Sequence, residues 1–428
     1  MLRRHAEEIF EAALHAAEPE KATAAKLANL PNGTERVFVV GAGKAAAAMA
    51  RAVEAKYGSK ITRGVVVTKY GHASTLRHLE CWEAAHPVPD AAGVRGAREI
   101  AQICLEAGPN DLVICLVSGG ASALLPAPAE GVTLDEKQLT TRLLLGSGAN
   151  IHELNTVRKH LSALKGGQLA HLCAPAKLRT YILSDVIGDP LDVIGSGPTA
   201  PDESTYADAW AVIYKYGLET KLPDSVRRHL EQGVNHKIPE TPKPGDPLFD
   251  QVENVLVGSN RLSIEAAAEK ARQLGYQDLV LSTTLDGEAR EVAKVFAAIG
   301  REARQSARPL PPPIAVLAGG ETTVTLGNHH GMGGRNQEMA LAVALGLRGL
   351  EQVLFLAAGT DGTDGPTNAA GAFADGTTWS RGEQHDLQAI DHLERNDSHQ
   401  YFEQLGDLFI TGPTGTNVMD VYLLLVSA

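Results

Sequence analysis

The sequence is poor in cysteine, in positive charge and in long apolar runs. Its four cysteines, Cys81, Cys104, Cys115 and Cys173, form no Cys-x-x-Cys pair and show no zinc-like spacing with histidine. A disulfide-stapled scaffold and a zinc module are thereby excluded, and reduced thiols in a cytoplasmic protein are expected. Lysine and arginine total 39 against 51 aspartates and glutamates, a net charge of −12. Such a field repels nucleic acid and anionic membrane, so neither is an expected partner and an anionic ligand has to be caught by a local site. The longest apolar runs, LVICLV and YLLLV, are strand-sized, well short of the ~20 residues that span a bilayer. The opening MLRRHAEEIFEAALHAAEPE does not read as a signal peptide, because acids run through it. Ala6, Ile9, Phe10, Ala13 and Leu14 fall on one face of a helix that would cap a domain. No short repeat suggests a solenoid.

What remains is an ordinary globular chain, 44% apolar and 21% charged, whose 428 residues suffice for two or three compact units. Glycine is in excess, 43 residues, and clusters immediately after short apolar runs. Those runs are RVFVV (36–40), GVVVTK (64–69), DLVICLV (111–117), RTYIL (179–183), NVLVG (254–258), DLVLS (278–282), PIAVLAG (313–319) and QVLFLAAG (352–359). They alternate with helical stretches such as KAAAAMARAVEAK, a pattern that predicts an α/β protein with parallel sheets buried on both faces. IPETPKPGDPLF (238–249) reads as an interdomain linker and ARPLPPP (307–313) as a second break.

In open α/β sheets, ligands bind at the carboxyl ends of strands, where helix N-termini offer N–H groups and a positive dipole end. VVGAGKAAAAMA (39–50) is such an end, and Gly41-x-Gly43-x-x-Ala46 satisfies the loose dinucleotide pattern. The next strand, however, ends in Thr68 and Lys69 where a ribose-binding acid is wanted, and the chain has no P-loop. Lys44 sits where a helix dipole disfavours cations, so it is either solvated or aimed at an anion. LVSGGASALL (116–125) supplies a second glycine turn at Ser118–Gly120, either a tight packing turn or a cradle for carboxylate or phosphate. In IHELNTVRKHLSALKGGQLA (151–170), Leu154, Val157, Leu161 and Leu164 form a buried helical stripe. Asn155, Arg158, Ser162 and Lys165 border it as a solvated face or as the floor of a cleft.

ILSDVIGDPLDVIGSGPTAPD (182–202) sets Asp185, Asp189 and Asp192 among glycines and prolines at a strand end. Each alone reads as a turn or cap residue, but three together suggest that one handles a proton or a divalent cation, with Mg²⁺ the natural candidate. Arg335 follows Gly-Gly at a helix start and, like Lys44, is out of place unless an anion sits opposite. Asp361 and Asp364 lie on a glycine- and threonine-rich loop that looks ligand-facing. Two cations at helix starts together with aspartate loops are what phosphoryl transfer requires.

VGAGKAA, SGGASALL, NTVRKHLSALKGGQLA, SDVIGDPLDVIGSGPT, GGETTV, GGRNQEMAL, GTDGTDGPT and GPTGTNVMDV, in this order and spanning about Arg36 to Val426, resemble the motif set of the two-domain glycerate 2-kinases. Some members of that family carry the name hydroxypyruvate reductase. The resemblance implies an N-terminal α/β domain over 1–240 and a C-terminal MOFRL-type domain over 252–428, with 252–310 able to join either. Each would be a three-layer α/β/α unit with a largely parallel sheet, and a cleft would lie between them. It further implies phosphorylation of D-glycerate at the 2-hydroxyl, with ATP and Mg²⁺ as cofactors, small molecules as partners, a homodimer, and the cytoplasm as location.

Carried onto this sequence, the family's essential lysine falls on Lys44 and its essential arginine on Arg335. On this reading both stabilise the transferring phosphoryl group, and Asp189 is the catalytic carboxylate. Gly43, Ser118, Gly119, Gly120, Arg158, Lys165, Gly197, Asn260 and Glu321 bind substrate or nucleotide, while Asp185 and Asp361 hold the metal. The alternative is an NAD(P)H-dependent hydroxypyruvate reductase that uses GAGKAA as its nicotinamide site. A non-catalytic sugar-phosphate-binding module is a third reading, although it has no need of the aspartate loops.

Overall fold

Each apolar run singled out in the sequence forms a strand, and the strands assemble into two sheets of six. The computed structural model describes residues 1–428. In chain order the strands are β1 (Val37–Ala42), β2 (Ile61–Lys69), β3 (Glu80–Ala84), β4 (Leu112–Val117), β5 (Lys177–Leu183), β6 (Val252–Gly258), β7 (Gln277–Leu285), β8 (Ile314–Gly320), β9 (Val353–Gly359), β10 (Gly371–Asp375), β11 (Leu408–Phe409) and β12 (Asp420–Val426). The first sheet runs β3-β2-β1-β4-β5-β6 and the second β11-β10-β9-β12-β8-β7.

The first unit, Pro19–Val257, is a doubly wound α/β structure. Its β1 pairs in parallel with β2 and β4, β2 with β3, and β4 with β5. Every residue of β1 and β4 is buried, as strands covered on both faces require. The helix Ala91–Leu105 buries Ala97, Ile100 and Ile103 with Phe38, Val40, Val65 and Val113. The strand order turns back between β1 and β4, which makes the crevice at their carboxyl ends the natural ligand position.

The second unit, Met1–Glu18 with Gly258–Ala428, is also three-layered. Alternate residues of its strands face opposite cores, as period-2 strands must. Val316, Phe355 and Leu424 pack under the helices Ala289–Ser306 and Arg335–Leu347. Leu317, Leu356 and Leu423 pack under Leu2–Ala16 and Asn260–Gln273. This sheet is mixed rather than largely parallel: β7 and β8 are parallel, but β12 runs antiparallel to both β8 and β9, and β10 is antiparallel to β9 and β11. The run DVYLLLV is apolar because β12 is buried on both faces, and a doubly buried central strand looks the same in sequence whichever way it runs.

Three boundary expectations are also corrected. Residues 1–18 pack with the second unit rather than with a 1–240 domain: Ile9, Phe10 and Ala13 meet Ile264, Ala267 and Ala271, and Ser263 Oγ donates to Ala13 O at 2.9 Å. An amphipathic stripe shows that a helix needs a partner, not which one. The Pro-rich segment 238–249 is no free linker. Thr241 Oγ1 donates to Asp202 Oδ2 at 3.0 Å and Asp202 N to Pro242 O at 2.9 Å, and the chain leaves the first unit only after Val257. Residues 307–313 lie inside the second unit, where Gln277 N donates to Pro313 O at 2.9 Å. No helix is long and apolar enough to cross a membrane.

Candidate active site

At the carboxyl ends of β1 and β4 the two glycine turns are stitched together. Ser118 N donates to Ala42 O (3.1 Å), Lys44 N to Gly119 O (2.9 Å) and Ala45 N to Ser118 Oγ (3.1 Å). The stitching needs glycine at Gly43, and the approach of Asp185 needs a small residue at Gly119. At Gly43, with φ of +141°, a Cβ would lie 2.0 Å from Ser118 Oγ, and at Gly119 it would lie 2.1 Å from Asp185 Oδ2. Lys44, the Ser118–Gly120 turn and Asp185 from the end of β5 therefore converge, and the His86 ring packs against Gly120. Ser118 uses its hydroxyl to fix the approach to the helix Ala46–Tyr57, so it positions Lys44. Burial pushes the Asp185 carboxyl up and Lys44 partly offsets this, whereas burial, Lys44 and Lys69 hold His86 below its usual range. The helix after Gly120, Ala121–Leu124, is a single turn, so its dipole adds little.

Beside Gly120 opens a cavity of about 420 Å³ whose lining includes Lys137, Arg158 and Lys165, with the exposed Arg142 also on its wall and no carboxylate. Arg158 and Lys165 meet there although the helix expected over 151–170 stops at His160: Gly166 and Gly167 adopt φ of +59° and +79°, and a new helix starts at Gln168. The stripe Leu154, Val157, Leu161 and Leu164 is nevertheless buried. Lys137 joins Arg158 and Lys165 from a neighbouring helix. Its signal lies in the helix Leu134–Gly146, where Lys137, Thr140 and Leu144 occupy the inner face at i, i+3 and i+7, a core position for a lysine. Lys137 Nζ donates to Leu161 O at 2.7 Å and Lys165 Nζ to Gly195 O at 3.4 Å.

Burial followed by like-charge repulsion drives both ammonium groups down, Lys165 to about 7 and Lys137 well below its ordinary value. A lysine whose folded pKa is depressed binds fewer protons folded than unfolded between that pKa and its ordinary 10.5. Stability of the ligand-free protein therefore rises with pH across that window. Thermal unfolding from about pH 7 to about pH 9 should show this rise, and Lys165→Met should flatten it. A rise of equal slope in the variant would assign it to other groups.

The three aspartates after β5 separate into different roles. Asp192 pairs with Lys159 (3.0 Å), which also holds the buried Asp202 (3.2 Å), a structural brace. Asp189 has φ of +56° and a buried Oδ1 without a hydrogen-bond partner. Gly197 accepts from Gly167 N at 2.7 Å, tying this loop to the 166–167 turn rather than lining the cavity.

In the second unit Arg335 opens the helix Arg335–Leu347, and the anion opposite it belongs to the chain itself. Its Nε and Nη2 donate to Asp420 at 2.5 and 3.0 Å, and its Nη1 lies 3.0 Å from Glu321. Asp420 is fully buried, while a third of the Arg335 side chain stays exposed beside a cavity of about 380 Å³. Asn260 is buried, donating to Val418 O and Asp420 O at 2.9 Å each, and so holds the start of β12. Asp361 accepts from Thr363 N and Oγ1. Asp364 does not face a ligand: it is buried and accepts from Asn336 N and Gln337 N at the start of the 335–347 helix, and burial raises its carboxyl to about 6.

The family model described as a domain of unknown function (DUF4147) matches residues 5–231, and the MOFRL family matches 314–420. D-glycerate 2-kinase of Thermotoga maritima is 44% identical to this chain, covering 99% of it and 98% of the relative. The chain belongs to the two-domain glycerate kinase family. A crystal structure of glycerate kinase from Thermotoga maritima superposes on it with a TM-score of 0.92 at 43% identity, covering 99% of each chain. A protein of Agrobacterium vitis with a provisional hydroxypyruvate reductase name is 44% identical over 98% of this chain and 93% of its own length.

Within this glycerate kinase family member, the expected residues other than Asp189 and Gly197, which lie on the loop after β5, fall into two groups. Lys44, Gly43, Ser118, Gly119, Gly120 and Asp185 gather at the β1/β4 crevice, with Arg158 and Lys165 in the adjoining cavity. Arg335, Glu321, Asn260 and Asp361 belong to the other unit.

Proposed function

We infer that this chain is an ATP-dependent D-glycerate 2-kinase. The observation that carries the reading is the meeting of Lys44 with Asp185 beside a cationic, acid-free cavity at a topological switch point. A hydroxypyruvate reductase wants an acid at the end of β2 to hold a ribose, and Thr68 and Lys69 stand there, Thr68 Oγ1 donating to Lys44 O at 3.3 Å.

In the proposed reaction the 2-hydroxyl oxygen attacks the γ-phosphorus in line, the bond to the bridging oxygen breaks, and ADP leaves. Lys44 stabilises the charge on the transferring group, and Arg335, oriented by Asp420, is the second cation that the family likeness assigns to this step. Asp189, whose Oδ1 lacks a partner, accepts the hydroxyl proton. Magnesium on a nucleotide keeps several waters and needs one or two protein carboxylates. Asp185 fits that need, whereas Asp361 is engaged with Thr363, and no group of three His, Cys, Asp or Glu side chains forms a protein-built cage. When bound, the ion neutralises charge on the phosphates. Four free cysteines suit the cytoplasm, where we place the enzyme.

A coupled ADP-release assay tests the reading. ATP with D-glycerate should give turnover well above L-glycerate, glycolate and tartrate, and NAD(P)H with hydroxypyruvate should give none. Pyridine-nucleotide oxidation without ADP release would replace the kinase by the reductase.

A further inference from the structure

The cavity beside Gly120 is lined by two chemically different sets of residues. Lys137 and Lys165 are 6% and 2% exposed, and with Arg158 they place three basic side chains in one pocket without a lining carboxylate. Each ammonium group has a single carbonyl contact, which satisfies one donor and no charge. Charging all three in a partly dry site is unfavourable until an anion joins them. Other lining residues are apolar: Pro87, Val88, Pro89 and Leu145, of which Val88 and Leu145 are 60% and 56% exposed, unusual for large apolar side chains. Gln138 Nε2 donates to Pro89 O at 2.7 Å, so the proline wall is fastened to the helix that carries Lys137 and Leu145. The cavity reaches Gly120, whose Cβ position lies 3.4 Å from Lys44 Cγ.

We propose that this cavity is the nucleoside triphosphate site, with Lys137 as a phosphate-binding residue and the Val88/Leu145 pair flanking the base. The inference rests on the kinase reading and gives that reading's nucleotide a place. D-glycerate is too small and carries one negative charge, so it answers neither the apolar lining nor three basic side chains. A triphosphate brings several negative charges, and a base supplies the flat apolar surface that Val88 and Leu145 lack. Laid this way, the phosphate tail passes Gly120 toward Lys44, where transfer takes place. Proline and valine contacts alone do not select one base over another, so the class is nucleoside triphosphate.

Isothermal titration of the full chain with ATP, inorganic triphosphate and D-glycerate tests the proposal. Lys137→Met should weaken ATP and triphosphate by about tenfold or more and leave D-glycerate within about twofold, because a charge-assisted contact is lost for the phosphates alone. Leu145→Ser, on the exposed rim, should weaken ATP several-fold and leave triphosphate unchanged. It also keeps the test alive if Lys137→Met fails to fold. Loss of D-glycerate binding with ATP retained would make this the acceptor site and overturn the proposal. Unchanged ATP binding in the folded variants, or no ATP binding to the wild type, would overturn it too. Lys137-dependent triphosphate binding in a protein that does not phosphorylate glycerate would leave the nucleotide site standing and remove the kinase reading. Turnover with wild-type ATP affinity in both variants would do the reverse.

Discussion

Lys44→Met should lower kcat for D-glycerate phosphorylation by at least ~10²-fold and leave the melting temperature almost unchanged. Lys44 precedes the helix Ala46–Tyr57 by a short turn, where its charge opposes the dipole, and it forms no salt bridge within its unit. Its removal relieves that conflict while depriving Asp185 of a neighbouring cation, and the two changes oppose each other within ~1 kcal/mol. The backbone that shapes the turn survives, because Lys44 N, Ala45 N and Ser118 N keep their acceptors whatever the side chain. Steady-state kinetics with parallel thermal unfolding separates the two effects. A variant with near-wild-type kcat would remove Lys44 from the mechanism.

Arg335→Ala should behave differently, losing at least ~10²-fold in turnover and also destabilising the second unit by roughly 3 kcal/mol. Removing the guanidinium strands Asp420, which is fully buried and keeps only Asn336 Nδ2 and Tyr422 OH as donors. The helix-start position alone would have predicted unchanged or improved stability, because a cation at N1 opposes the dipole. The buried carboxylate reverses that expectation. The double variant Arg335→Met/Asp420→Asn should recover most of the stability and none of the activity, since it removes the stranded charge without restoring the cation. Equal melting temperatures for Arg335→Ala and wild type would show that the pair does not hold β12, and recovery of turnover in the double variant would show that the charge of Arg335 is dispensable.

What the sequence disclosed follows from what each feature must do physically. The runs VFVV, LVICLV and IAVLAG were readable as strands because double-sided burial forces continuous apolar residues. GAGK is readable because the two strand ends approach this tightly only where Cβ is absent, and SGG because the Asp185 and His86 side chains pack against its glycines. The short strands β3, β10 and β11 were not readable, because ECWEA, GAFAD and LF carry too little pattern to exceed turn or helix. The antiparallel course of β12 left no mark on its composition. Asp364 looks ligand-facing because polar residues in a glycine-rich loop resemble a site, and only the fold shows that it caps a helix and that Asp420 lies against Arg335. Lys137 leaves little mark in the sequence because one lysine on an amphipathic helix is normally solvent-facing, and its burial depends on the 151–167 segment folding over it.

Phosphorus NMR of the product formed from ATP, magnesium and D-glycerate tests the central claim most directly, because it reads which oxygen received the phosphoryl group. The account predicts 2-phosphoglycerate as the first product, appearing in step with ADP. Initial formation of 3-phosphoglycerate, or ADP release with no phosphorylated glycerate, would contradict it.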